Sequence, residues 1–136
     1  MLLTASGLGV RDLSIPADLA RIGEARAWAA RAAEDFGLAE DERFLVKLAM
    51  SEAVTNAILH GSGSDGDAVE MKVRGEDDLL VFEVRDHGNG NGNGQAERIH
   101  DGGRGLELVS LVMDEVALDQ GEQGSVLRFA KHRRVA

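Results

Sequence analysis

The chain has 136 residues, the length of one ordinary domain, and its hydrophobic residues, 43% of the total, are enough for one buried core. With 15 basic and 24 acidic residues its formal net charge is −9, which argues against extended contact with a nucleic-acid backbone or an anionic membrane. The absence of cysteine excludes disulfides and thiolate metal sites. Because the sequence shows neither a signal-like start nor a membrane-length apolar segment, we expect a cytoplasmic protein with a single domain, residues 1–136.

The first two elements are predicted from their end signals. Residues 8–15 mix apolar and polar side chains in rough alternation and stop at Pro16, a pattern typical of an edge strand. A helix is predicted over residues 18–36, with Asp18 as its N-cap and Gly37 as its stop signal. Its apolar residues recur at helical spacing: Leu19, Ile22, Ala25, Ala29 and Ala32.

A second helix is predicted over residues 41–60, because the glycine-rich segment 61–66 cannot continue it. One side of this helix is a continuous apolar stripe. A second side is apolar at Phe44, Leu48 and Leu59, so we expect the helix to be mostly buried.

The remaining elements are short. Residues 68–74 and 79–86 flank a charged turn and predict an antiparallel hairpin, and residues 115–119 and 125–131 predict two further strands. A short helix is predicted over 106–113. Early helices followed by hairpin-joined strands favour an α+β fold, a two-layer sandwich with helices on one face of a mixed, mostly antiparallel sheet.

Two polar residues of the second helix share one face. Glu52 and Asn56 are four positions apart and therefore differ by only ~40° around the helix axis. A carboxylate beside a side-chain carbonyl suits Mg²⁺ and its water shell, whereas a carboxylate in apolar surroundings is costly without a partner. The alternative, which the spacing leaves open, is an ordinary solvated ridge at the edge of the sandwich.

The segment between the predicted hairpin and the last helix is rich in glycine. Asp86 comes directly after an apolar strand, and Gly88 and Gly90 follow in the pattern Asp-x-Gly-x-Gly. Such an aspartate can accept a hydrogen bond from an amino group such as that of adenine, and the glycines let the backbone pass close to a flat ring. The same pattern also describes a common type of turn.

A second glycine cluster, residues 102–105, immediately precedes the helix predicted from Leu106. Backbone N–H groups at the start of a helix attract phosphate oxygens, so a triphosphate is one candidate ligand for this cluster. A flexible linker explains the glycines equally well, although it explains Arg104 between two of them less well.

Three motifs occur in a definite order: Glu-Ala-Val-Thr-Asn-Ala at residues 52–57, Asp-x-Gly-x-Gly at 86–90, and Gly-Arg-Gly-Leu at 103–106. In this order the chain resembles the GHKL ATPases with the Bergerat fold. Residues 51–61 match the signature Ser-Glu-Ala-x-x-Asn-Ala-x-x-His-Gly of the stand-alone anti-sigma-factor serine/threonine kinases. The resemblance covers most of the chain. It implies ATP and Mg²⁺ as cofactors, and a sigma factor and an anti-sigma-factor antagonist as protein partners.

The resemblance also implies roles for individual residues. Asn56 would coordinate Mg²⁺, and Glu52 would be the general base that takes a proton from the attacking hydroxyl. Asp86 would bind the adenine amine, with Gly88 and Gly90 shaping the purine pocket.

The same resemblance assigns the phosphate site and the lid. The amides of Gly103, Arg104, Gly105 and Leu106 would hold phosphates, and residues 91–102 would form a lid over the nucleotide. Gly124 and Ser125 stand where the family has Gly-Thr beside the base, which keeps the hydroxyl at that position. The lid is short and lacks the proline or aromatic residue found in many relatives, which favours weak retention of nucleotide.

Two other functions fit parts of the pattern. One is a non-catalytic anti-sigma or partner-switch protein that binds nucleotide only to order its lid, but the presence of Glu52 argues against it. The other is an ATP-binding module of the histidine-kinase type, for which the chain has no dimerisation helix pair. Relatives often form homodimers. The basic end, residues 131–134, is typical of a solvated tail without nucleic-acid contact, and we expect it to be either structural or disordered.

Overall fold

The structure is a computed structural model that describes residues 8–61, 67–87, 103–121 and 124–134. The described elements, in chain order, are β1 Arg11–Pro16, α1 Ile22–Phe36, α2 Glu40–Asn56, β2 Ala68–Glu76, β3 Leu79–Asp86, α3 Gly103–Val112, β4 Glu115–Gly121 and β5 Gly124–His132. A 3₁₀ turn, Leu19–Arg21, precedes α1, and a π-helical segment, Ala57–Gly61, follows α2. No helix in these ranges is long and apolar enough to cross a membrane.

The strands form one five-stranded sheet in the order β1-β2-β3-β5-β4. All four pairings between described strands are antiparallel, so the parallel component of the expected mixed sheet is not found in this part of the chain. The predicted α+β sandwich is confirmed, because the helices lie on one face of the sheet and leave the other face open. β1 is an edge strand, as predicted, although it begins at Arg11 rather than at residue 8.

Alternation along the strands explains the two faces. In β2 the side chains of Val69, Met71 and Val73 are buried against the helices, and the residues between them point to the open face. In the middle of the core, Phe82 of β3 stacks on Phe129 of β5 with ring centroids 5.5 Å apart.

The ends of α1 follow from local signals. The Asp18 side chain accepts a hydrogen bond from the Ala20 N–H at 3.0 Å, which caps the 3₁₀ turn that leads into α1. Gly37 ends the helix in the left-handed conformation, with φ 96°, and its N–H donates to the Ala33 carbonyl at 3.1 Å. Both end signals were predicted, whereas the 3₁₀ start was not.

The outer side of α2 is more exposed than expected. Phe44 is 62% exposed and Leu59 is 55% exposed, so the prediction of a mostly buried helix is wrong for this side. α1 and α3 pack against α2, but no described element covers its outer surface. A helical wheel counts apolar positions and does not show which of them a neighbour covers.

The basic end is bonded to the fold. Arg133 donates to the Phe36 carbonyl at 2.7 Å, lies 4.3 Å above the Phe36 ring, and pairs with Asp78 at 2.8 Å. Arg134 pairs with the buried carboxylate of Glu42 at 3.1 Å. Of the two expected alternatives, a structural end is therefore found, since these contacts join residues 133 and 134 to the α1–α2 and β2–β3 turns.

The open face of the sheet carries charges of alternating sign. In register across four strands lie Asp12, Lys72, Glu83 and Arg128. Glu83 is 3.0 Å from Arg128 and 3.3 Å from Arg74. Burial opposes ionisation of Glu83, but hydrogen bonds from Arg128 and Arg74 outweigh burial and hold the pKa of this carboxyl below its usual value.

Candidate functional site

The last two turns of α2 lie at the end of the sheet where β3 finishes. The first turn of α2 is fixed at the opposite end, because Glu42 pairs with Arg134, two residues beyond the end of β5. The 17 residues of α2 span roughly 25 Å. The π-helical segment that follows packs against β3. Glu52 and Asn56 are therefore carried toward the end of the sheet that contains Asp86.

The direction in which Glu52 and Asn56 point follows from their neighbour Ser51. Ser51 faces α1, because its hydroxyl is 3.3 Å from the Arg26 guanidinium. Glu52 is ~100° further around the helix and Asn56 another ~40°, which places both on the opposite flank, beside α3. Both side chains are half-buried. Within the described residues neither has a hydrogen-bonding partner, so the polar atoms of both side chains are available to a ligand.

The main chain changes geometry directly after Asn56. Residues 57–61 form a π-helical turn instead of the predicted continuation of the α-helix. One turn earlier, the Thr55 hydroxyl donates to the Ser51 carbonyl at 2.7 Å, a bond that tends to bend helices. π-helical turns occur frequently at functional sites. No pattern in residues 57–61 predicts this turn.

Asp86 is the last residue of β3 and is only 8% exposed. It stands opposite Ser125 in the β3–β5 pairing, and the Ser125 N–H lies 3.3 Å from Asp86 Oδ1. The backbone N–H of Ser125 is therefore one donor that helps to hold this carboxylate in position. The structure brings these two predicted site residues together.

Gly124 is a site residue to which the sequence analysis gave no role of its own. Its φ is 130°, and a Cβ at this position would lie 2.0 Å from the Asp86 carbonyl oxygen. Only glycine permits this approach. The sequence signal that could have indicated this role is a glycine directly before a hydroxyl residue at the start of a strand.

The glycine cluster before the last helix is part of that helix. We predicted that Gly103, Arg104 and Gly105 precede it, but α3 already begins at Gly103. The N–H groups of the first four residues of a helix have no acceptor within it, so the amides of 103–106 keep the predicted capacity to donate. Leu106 also packs its side chain against the core.

Some predicted site residues fall outside the described part of the chain. These are Gly88, Gly90 and the segment 91–102, together with the side chain of Arg104.

The comparison with known protein families supports the sequence resemblance. Residues 15–131 match the histidine kinase-like ATPase domain family. The chain belongs to this family. The anti-sigma F factor of Bacillus velezensis is 33% identical over 103 residues, which cover 68% of this chain and 70% of that protein. The serine-protein kinase RsbW of Bacillus licheniformis is 29% identical over 141 residues, covering 91% and 88% of the two chains.

A solved structure confirms the fold. The RsbU and RsbW domains of Rv1364c from Mycobacterium tuberculosis match 93% of this chain with a TM-score of 0.73, at 17% sequence identity and over 32% of that chain. The histidine kinase-like ATPase fold expected from the three motifs is thus confirmed.

Proposed function

We propose that this protein is an ATP-dependent serine/threonine kinase that acts as an anti-sigma factor in a partner-switching system. It phosphorylates an antagonist protein and sequesters a sigma factor. Relatives named anti-sigma F factor and serine-protein kinase RsbW support this proposal. The observation that carries it is the pair Glu52 and Asn56, half-buried beside α3 without partners among the described residues.

The described residues fit a nucleotide. Asp86 is nearly buried, and the close approach of the Gly124 backbone to Asp86 helps to fix the position of a carboxylate that suits an adenine amine. The open amides at the start of α3 suit the phosphates. Arg104, which follows the first of these amides, is a candidate contact to a phosphate or to the partner.

The described residues also fit a magnesium ion held jointly with the nucleotide. They contain no group of three or more His, Asp or Glu side chains able to hold a metal ion. Mg²⁺ in kinase sites is usually bound by one or two protein oxygens together with substrate phosphates and water. The side-chain oxygen of Asn56 supplies one such ligand.

ATP would supply the γ-phosphoryl group: the partner's serine or threonine oxygen bonds to the γ-phosphorus, the bond from that phosphorus to the β-phosphate oxygen breaks, and ADP leaves. The role of this chain is to orient the reactants and to move one proton. A carboxylate oxygen of Glu52 accepts the proton that the attacking hydroxyl loses, and Asn56, on the same flank, would hold the metal ion.

The proposal covers the whole chain as one domain. The protein works in the cytoplasm with its sigma factor and antagonist, without direct contact to nucleic acid, and a homodimer is the oligomeric state suggested by the resemblance. The net charge of −9 agrees with protein rather than nucleic-acid partners.

Phosphoryl transfer tests the proposed function. Label from γ-labelled ATP is followed onto a purified antagonist protein from the same organism, with wild type, Glu52→Gln and the control Glu34→Gln, an exposed glutamate on α1. Loss of the general base should lower the rate by about 10²–10⁴-fold while ATP still binds, and the control should match wild type. Wild type that binds ATP and sequesters a sigma factor without transferring label would establish the non-catalytic alternative.

A further inference from the structure

We propose that Lys131 is a positioning residue that fixes the orientation of α3 and, through it, the amides offered to the phosphates. The inference rests on the proposed function. Lys131 is on the helix-facing side of β5, and its side chain is only 13% exposed. Its ammonium donates to the Val112 carbonyl, the last residue of α3, at 2.8 Å and lies 3.9 Å from the Asp114 carboxylate.

The end of α3 is tied to β5 at three points. Besides the Lys131 contact, the Asp114 N–H donates to the Ala130 carbonyl at 2.9 Å, and the His132 N–H donates to Asp114 Oδ2 at 2.7 Å. These two bonds hold the connection after the helix. Lys131 alone among the three reaches a residue of the helix itself.

Physical reasons make this contact important for the helix. The last carbonyls of a helix lack partners within it, and a cation there interacts favourably with the helix dipole. α3 has 10 residues, roughly 15 Å, and its first turn contains Gly103 and Gly105, which are weak helix formers. The orientation of so short a helix depends on its few fixed points.

The fixed end also determines where the free end lies. The C-terminal end of α3 is beside Lys131 and His132, and β5 runs from there back to Ser125, which pairs with Asp86. The opposite end of α3, whose first amides have no acceptor within the helix, is therefore directed toward Asp86. A tilt of the helix at Val112 moves those amides relative to the nucleotide, because a helix of three turns is stiff.

Substitutions at Lys131 separate positioning from general stability. Lys131→Met keeps most of the stem and removes the ammonium, and Lys131→Arg keeps a cationic donor. Affinities for ATP and for adenosine are measured by competition against a fluorescent ATP analogue. We expect Lys131→Met to weaken ATP about tenfold and adenosine little, because only ATP uses the α3 amides. Lys131→Arg should stay close to wild type.

A second readout does not depend on nucleotide. In amide NMR spectra of the free protein, the Gly103 and Gly105 resonances should shift in Lys131→Met and return in Lys131→Arg. Unchanged ATP affinity with unmoved glycine amides would overturn the inference, as would equal losses for ATP and adenosine. Wild type that binds no ATP would instead refute the proposed function itself.

Discussion

Gly124 passes so close to Asp86 that a Cβ on the glycine would lie 2.0 Å from the Asp86 carbonyl oxygen. The two residues meet where β3 ends and β5 begins, and the next residue, Ser125, donates its N–H toward Asp86 Oδ1. The position of the carboxylate proposed to bind adenine therefore depends on the absence of a side chain on the neighbouring strand.

Gly124→Ala should displace Asp86 and weaken nucleotide binding. The backbone of residue 124, with φ 130°, is one that glycine adopts readily, so alanine costs about 1–3 kcal/mol of stability besides the clash. We expect at least about tenfold lower ATP affinity in calorimetric titration. Gly121→Ala is the matched control, because a Cβ there meets its nearest atom at an ordinary 3.7 Å. Equal ATP affinity in the two variants would contradict the role assigned to Gly124.

Arg133→Ala should destabilise the protein without changing nucleotide affinity. The substitution leaves the Phe36 carbonyl without its donor and removes the contact over the Phe36 ring and the pair with Asp78. The expected loss is about 1–3 kcal/mol in urea unfolding. Arg31→Ala, whose side chain is 73% exposed, should lose much less. A change in the ATP affinity of folded Arg133→Ala would contradict the purely structural role assigned to this side chain.

The stability of the sheet should depend on ionised Glu83. Its pKa is lowered in the folded protein, so its contribution is present above the unfolded value of about 4.3 and disappears as pH falls through the folded pKa. Glu83→Gln should therefore cost about 1 kcal/mol near neutral pH, and the difference from wild type should vanish in acid. Urea unfolding between about pH 7 and about pH 3 measures this. Glu70→Gln, on the same face, is the control. A difference that persists unchanged at the acid limit would refute the account.

The parts of the fold that the sequence predicts are those determined locally. The alternation of Val69, Met71 and Val73 follows from the pleat of a strand. Asp18 caps the start of the 3₁₀ turn and Gly37 the end of α1, each through a bond to a residue within four positions. The exposure of Phe44 and the contacts of Arg133 depend on which distant segment lies nearby. No local pattern contains that information.

The candidate site also has some features that the sequence predicts and others that it does not. The shared face of Glu52 and Asn56 follows from the ~100° step of a helix, which a sequence shows directly. The π-helical turn after Asn56 and the contact of Gly124 with Asp86 arise from packing between the end of α2, β3 and β5. The family motifs indicate that these segments meet, but the close approach itself appears only in three dimensions.

Calorimetric titration of ATP with Mg²⁺ into the wild-type protein tests the central claim most directly. Asn56→Ala removes the proposed metal ligand, and Asp86→Asn keeps an oxygen for the Ser125 N–H while replacing one acceptor with a donor. Asp35→Asn, on α1, is the matched control. We predict saturable binding to wild type and control, with both site variants at least about tenfold weaker. No binding by folded wild type at millimolar ATP, or equal binding by all four proteins, would contradict the assignment of this site.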